Sequence, residues 1–188
     1  MAGRLIYLIG PSGSGKDSLL DAAREALAVR DCRIVRRVIT RSAEAKGEAA
    51  QAVSVERFEA LQAQGAFALS WFANGLHYGI PNEIDQWLAD GHDVLVNGSR
   101  GHLPHARARY PSLWVVLLTV DQSVLRDRLL SRARESADEI ETRLARNAQF
   151  ADDLQMSDPS MIVLDNSGAL DQTVARLLQR LERTPACA

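Results

Sequence analysis

The stretch Gly10-Pro11-Ser12-Gly13-Ser14-Gly15-Lys16-Asp17-Ser18 constrains this chain more than any other. It follows the apolar run Leu5–Ile9, which reads as a buried strand, and precedes a helical pattern that begins near Gly15. A glycine-rich loop between a strand and a helix, closed by a lysine, is a setting in which successive backbone N–H groups wrap the phosphates of a nucleotide. The spacing predicts that Gly10 to Ser18 cradle the phosphates of a nucleoside triphosphate and that Lys16 reaches the β- and γ-phosphates. A plain strand–helix connection is the competing reading; three glycines and a lysine in that context weigh against it. The position after the lysine ordinarily carries a hydroxyl for Mg2+, and here it carries Asp17. Two readings of Asp17 stay open: a metal ligand, or an acidic residue well placed in the first turn of a helix.

The rest of the composition sharpens that reading. The chain has 22 lysines and arginines, yet only Lys16 and Lys46 are lysine. A lysine kept at position 16 points to a compact ammonium where a planar guanidinium would not serve. A net charge of −2 argues against a general nucleic-acid binder, while local arginine clusters suit small polyanions. Cys32 and Cys187 form neither a disulfide framework nor a metal-ligand spacing. Leu5–Ile9 is too short for a signal peptide and no apolar run approaches membrane-spanning length, so a cytoplasmic location away from membranes is expected.

Strand-like runs alternate with helical patterns over 188 residues, which predicts one α/β domain on a mainly parallel sheet. Strands are expected at Leu5–Ile9, Arg33–Ile39, Phe67–Phe72, Asp93–Val96, Leu113–Val120 and Met161–Leu164. Helices are expected at Ser18–Val29, Val55–Gln64, Ile80–Ala89, Ser123–Arg134, Asp138–Phe150 and Leu170–Glu182. Residues 42–52 are small and polar and read as a flexible loop.

Phosphoryl transfer is mostly positioning and charge neutralisation, and the remaining arginines can be sorted on that basis. Arg128, Arg132, Arg134, Arg143 and Arg146 lie on two consecutive helical patterns around Glu135-Ser136-Ala137-Asp138, and together read as a closing element over a triphosphate. Arg132 and Arg143 are the catalytic candidates beside Lys16. The alternative is a solvated helix face with pairs such as Glu139–Arg143. On the acceptor side, Thr40-Arg41, the segment Asn74–Gly79 and Asn97-Gly98-Ser99-Arg100 read as polar ends converging on the carboxyl edge of a sheet, where open α/β sheets bind ligands. His92 reads as a surface residue, His102 and His105 as flanking the Asn97 loop, and His77 as a weaker anion contact.

The pattern resembles the guanylate kinase group of nucleoside monophosphate kinases, and more closely the ribose 1,5-bisphosphate phosphokinases of bacterial phosphonate utilisation. The likeness is carried by GPSGSGKDSLL (10–20), ITRS (39–42), LSWFANGLHYGIP (69–81), DVLVNGSRGHLPHARARY (93–110) and RARESADEIETRLAR (132–146). It implies a P-loop kinase three-layer fold, with an acceptor-binding insert near 40–80 and a helical lid near 132–146. It also implies transfer of the γ-phosphate of ATP to the 1-phosphate of ribose 1,5-bisphosphate, giving 5-phosphoribosyl 1-diphosphate and ADP. Guanylate kinases hold guanine partly through a glutamate before the tryptophan of this block, where Ser70 precedes Trp71 here, and have an aspartate where Asn97 stands. A site without base-reading carboxylates suits a phosphorylated sugar better than a nucleobase. On this likeness Arg41, Ser70, Tyr78, Asn97 and Arg100 are the expected acceptor contacts and Asn166 an adenine-side residue. Asp17 follows the loop lysine in the closer family too. A guanylate kinase-like nucleoside monophosphate kinase with relaxed or altered base choice and a non-catalytic guanylate-kinase-like binding module remain the alternatives.

Overall fold

The computed structural model describes residues 2–41, 50–131, 136, 138–145, 147, 158 and 160–182. They group into two compact units, Met1–Leu8 with Leu27–Trp114, and Ile9–Ala26 with Val115–Ala188.

The first unit starts with β1 (Leu5–Ile9), whose five residues are all buried. Its neighbours explain why no polar residue alternates along it: strands covered on both faces read as continuous apolar runs. The strand β2 (Cys32–Ile34) is followed after a break by β3 (Val38–Ile39). The single strand expected over 33–39 is thus divided between two sheets. Arg36 and Arg37 lie at the break, and neither belongs in an apolar layer; Arg36 donates to the Ala50 carbonyl and Arg37 to that of Asn97. As a result Thr40-Arg41 leave a second, mixed sheet rather than the carboxyl edge of the parallel one, which corrects the expectation above.

That second sheet runs β4-β3-β6-β5, with β4 (Gln51–Ala52), β5 (Phe67–Ala73) and β6 (Leu76–Pro81). Gln51 and Ala52, expected in a loop, pair in parallel with Val38 and Ile39. Between β4 and β5, Ser54 caps α2 (Val55–Ala63) by accepting from the Arg57 N–H. β5 and β6 form a hairpin through Asn74 and Gly75, whose φ values of 51° and 75° are those of the two-residue turn that Asn-Gly favours. The helix expected from Ile80 starts later, as α3 (Glu83–Ala89). Ile80 precedes Pro81, and a residue before proline is pushed out of the helical region into the extended one; both residues extend β6 instead.

β7 (Asp93–Asn97) is buried throughout and lies in parallel between β1 and β2, with Leu5 opposite Val94 and Cys32 opposite Asp93. Asp93 is buried at its start, where the Arg4 guanidinium and main-chain N–H both bind its carboxylate, at 2.6 and 2.8 Å. After β7 comes α4 (Leu103–Arg109), a short helix that was not expected.

The second unit carries the glycine-rich loop and α1 (Lys16–Val29) as far as Ala26, with Leu19, Leu20 and Ala23 on its buried face. β8 (Trp114–Thr119) and β9 (Ile162–Asp165) pair in parallel, Val116 opposite Ile162. Between them run α5 (Gln122–Ser131) and α6 (138–145), and α7 (Leu170–Leu181) follows. Leu125 and Leu129 of α5 pack with Ile140 and Leu144 of α6, all buried. Ser136 and Glu139 form a reciprocal cap at the start of α6: the Ser136 N–H and hydroxyl donate to Glu139 at 2.8 and 2.9 Å.

Candidate active site

The loop is held by the backbone conformations its glycines permit. Gly13 and Gly15 have φ of 93° and 90°, a region that L-residues rarely enter. A side chain at Gly15 would also place its Cβ 2.7 Å from Asn166 Nδ2. That amide donates to the Ser14 carbonyl at 2.7 Å, while Arg128 of α5 donates to the Asn166 carbonyl at 3.0 Å and to the Ser14 carbonyl at 3.4 Å. Arg128, expected within the lid, and Asn166, expected on the adenine side, both lie against the loop's main chain. The Lys16 ammonium donates to the Gly10 and Pro11 carbonyls at 2.9 and 3.1 Å, so it already sits over the turn of the loop.

These residues fit a polyphosphate. Ser14 is fully buried and its hydroxyl has no hydrogen-bond partner among the described residues. Ser12 is exposed, Pro11 half-exposed, and Ser18 exposed in the first turn of α1, a helix end that favours anions. Asp17 is half-buried in that turn. Among the described residues no three His, Cys, Asp or Glu side chains cluster as a metal cage. A magnesium ion would draw most of its ligands from phosphate oxygens and water, with Asp17 as the carboxylate nearest to hand in sequence.

The acceptor-side candidates lie in the first unit. Tyr78 and Trp71 are cross-strand partners on β6 and β5, stacked at 5.5 Å with their rings 6° from parallel. Trp71 stacks in turn on His102 at 5.4 Å, and His102 on His105 at 5.0 Å. Burial, and then the neighbouring His105, lower the pKa of His102. The Arg37 guanidinium lies 5.1 Å over the Tyr78 ring and donates to the Asn97 carbonyl at 3.0 Å. It thereby joins two expected acceptor contacts. Ser70 is opposite Gly79 and within 3.5 Å of Gln62 Nε2. Thr40 accepts the His77 N–H at 2.8 Å, and Arg41 is half-buried just beyond it. Arg100 is half-buried, and its carbonyl accepts the Leu103 N–H at the start of α4.

The loop bearing Arg100 is pinned from β1. The Tyr7 hydroxyl accepts the Ser99 N–H at 3.0 Å and donates to the Ser99 carbonyl at 3.3 Å. Burial pushes that phenol up to about 12, so it stays protonated and keeps both roles.

Of the lid arginines, Arg132, Arg134 and Arg146 lie outside the described residues. Arg143 is half-buried on α6. The Glu139 carboxyl is lowered first by the Ser136 N–H and hydroxyl, and also by the charge of Arg143. Sequence reasoning missed Arg37, the Trp71–His102–His105 stack and the Tyr7 clip. Only the Ser136–Glu139 cap carried a readable signal, the spacing S-x-x-E.

No protein-family model matches the chain. Among solved structures, the guanylate kinase of Anaplasma phagocytophilum shares the fold, with a TM-score of 0.70 over 96% of this chain and 85% of that one, at 18% identity. The fold is thus that of the guanylate kinase-like α/β kinases, built on a mostly parallel sheet. Curated proteins named ribose 1,5-bisphosphate phosphokinase PhnN match over the full length of both chains. Those of Pseudomonas fluorescens, Pseudomonas paraeruginosa and Azotobacter vinelandii are 69%, 65% and 62% identical. The chain belongs to the ribose 1,5-bisphosphate phosphokinase family, and it is a phosphotransferase.

Proposed function

We propose that this enzyme transfers the γ-phosphate of ATP to the 1-phosphate of ribose 1,5-bisphosphate, yielding 5-phosphoribosyl 1-diphosphate and ADP, in the cytoplasm. The observation that carries the reading is end-to-end similarity, at up to 69% identity, to proteins of that name. A 1-phosphate oxygen forms the new bond to the γ-phosphorus, and the bond from that phosphorus to the β,γ-bridging oxygen breaks, its electron pair leaving with ADP. The acceptor is already an anion at neutral pH, so no side chain has to remove a proton. What the reaction needs is charge neutralisation and alignment.

In this reading Lys16 and the amides of Gly10 to Ser18 hold the β- and γ-phosphates, and Arg132 and Arg143 close over them. Asp17 would help to hold a magnesium ion, which would supply charge neutralisation for donor and acceptor when bound. Arg41, Ser70, Tyr78, Asn97 and Arg100 take the acceptor. Ser70 and Asn97 are neutral and give a nucleobase no carboxylate to pair with.

The test is a substrate panel with product identification. With ATP and magnesium, ribose 1,5-bisphosphate should give stoichiometric ADP and 5-phosphoribosyl 1-diphosphate, and GMP should give little ADP. Fast ADP release with GMP and none with the sugar would replace this reading by a nucleoside monophosphate kinase. Absence of ATP binding in a titration would replace it by a non-catalytic module.

A further inference from the structure

The glycine-rich loop supplies amides for a polyphosphate, but its glycines leave their orientation open. Gly13 and Gly15 stand on either side of Ser14 with φ of 93° and 90°. Glycine moves between backbone conformations at little steric cost, so the peptide joining Ser14 to Gly15 can turn unless a group outside the loop fixes it. Asn166 and Arg128, distant in sequence, do so. The Asn166 amide donates to the Ser14 carbonyl at 2.7 Å, and Arg128 donates to the same carbonyl at 3.4 Å. Arg128 also donates to the Asn166 carbonyl at 3.0 Å. The Asn166 N–H donates to the Thr119 carbonyl at the end of β8, at 2.9 Å, so Asn166 is anchored in the sheet before it reaches the loop. On the other side of Ser14, its N–H donates to the Pro11 carbonyl at 3.1 Å.

In a trans peptide the C=O and the following N–H point in opposite directions. Holding the Ser14 carbonyl against Asn166 and Arg128 therefore turns the Gly15 N–H the other way. A carbonyl that accepts from a guanidinium is also polarised, which makes the N–H of the same peptide a stronger donor. We propose that Asn166 and Arg128 are positioning residues for the phosphate donor: they hold the Ser14–Gly15 peptide so that the Gly15 N–H binds the polyphosphate. Asn166 then acts on the phosphates through the loop and not on the base. This rests on the reading of the loop as the triphosphate site.

The test compares ATP with inorganic tripolyphosphate, which has the phosphates and no base. Titration calorimetry would give dissociation constants of both for the wild type, Asn166→Ala, Arg128→Met and the double variant, beside the melting temperature of each. Asn166→Ala removes no charge, so a loss of affinity there is not a loss of Coulomb attraction. It should weaken both ligands by the same factor, roughly 10- to 100-fold, the worth of one hydrogen bond to a charged group. The double variant should fall well short of the product of the single losses, because both residues act through one carbonyl; the full product would overturn that shared route. Arg128 is half-buried on α5, and Arg128→Met carries the comparison if Asn166→Ala does not fold. Weaker ATP binding with tripolyphosphate unchanged would overturn the proposal and put Asn166 at the adenine. A lower melting temperature with both affinities kept would overturn it too, since the bonds would then serve the fold alone. A wild type that binds neither ligand would instead overturn the triphosphate site itself, and this role with it.

Discussion

Lys16 is a folded-state participant before any nucleotide arrives, through its bonds to Gly10 and Pro11. Those bonds close a short turn and can be replaced by water, whereas the charge proposed for the γ-phosphate cannot. Lys16→Ala should therefore lower turnover by about 10²-fold or more while leaving the melting temperature nearly unchanged. Steady-state kinetics beside a thermal melt would check both halves, and near-normal turnover would remove the loop from the mechanism. A second residue-scale contrast concerns two glycines. Gly75 has φ of 75° and open space around its missing Cβ, so Gly75→Ala should cost only the backbone term, about 1 kcal/mol. Gly15→Ala meets the same backbone penalty plus Asn166 Nδ2 at 2.7 Å, and should cost more and also weaken ATP binding. Denaturant unfolding and nucleotide titration of the pair would test this; equal stability losses would mean that the Asn166 side chain yields freely.

At the scale of elements, legibility followed local pattern. Leu5–Ile9 was readable to the residue because a strand buried on both faces leaves an uninterrupted apolar run. The α7 helix was readable because a single face is apolar, with Leu177 and Leu181 buried on it. The break at Arg36-Arg37 was not, because what divides the strand is a choice between two sheets made by distant partners, Ala50 and Asn97. The hairpin at Asn74-Gly75 has a signal in the sequence, the Asn-Gly pair, but it sits among polar residues that suit a ligand-binding segment equally well. The site shows the same division: the phosphate loop is contiguous and visible, while Arg37, Tyr7 and His102 meet their partners only through the fold. The α5–α6 pair rests on four buried side chains more than on its surface ion pair, Arg126 with Glu141. Leu129→Ala should cost about 2–5 kcal/mol, the range for a buried leucine truncation, whereas Arg126→Ala should barely move the melting temperature. A larger effect from the arginine than from the leucine would reverse that ranking.

For the molecule as a whole, acid stability has an identifiable contributor. His102 titrates lower in the folded chain than its ordinary 6.5, because burial and then His105 disfavour its charge. The unfolded chain therefore binds that proton more readily, and the linkage sign is positive: stability is complete above about pH 6.5 and falls as acid is added below it. Melting temperature followed from pH 8 to pH 5 should show the decline, and His102→Asn should flatten it. An identical slope in the variant would place the acid-sensitive group elsewhere.

The bond pattern of Lys16 has a practical consequence for anyone handling this enzyme. Two lysines in 188 residues make primary amines scarce, and one of them is in the phosphate loop. An amine-directed reagent thus has very few places to react, and peptide mapping by mass spectrometry separates modification of Lys46 from that of the loop lysine. Nucleotide shielding that one amine would turn chemical labelling into an occupancy meter, free of coupled assays and of any assumption about the acceptor.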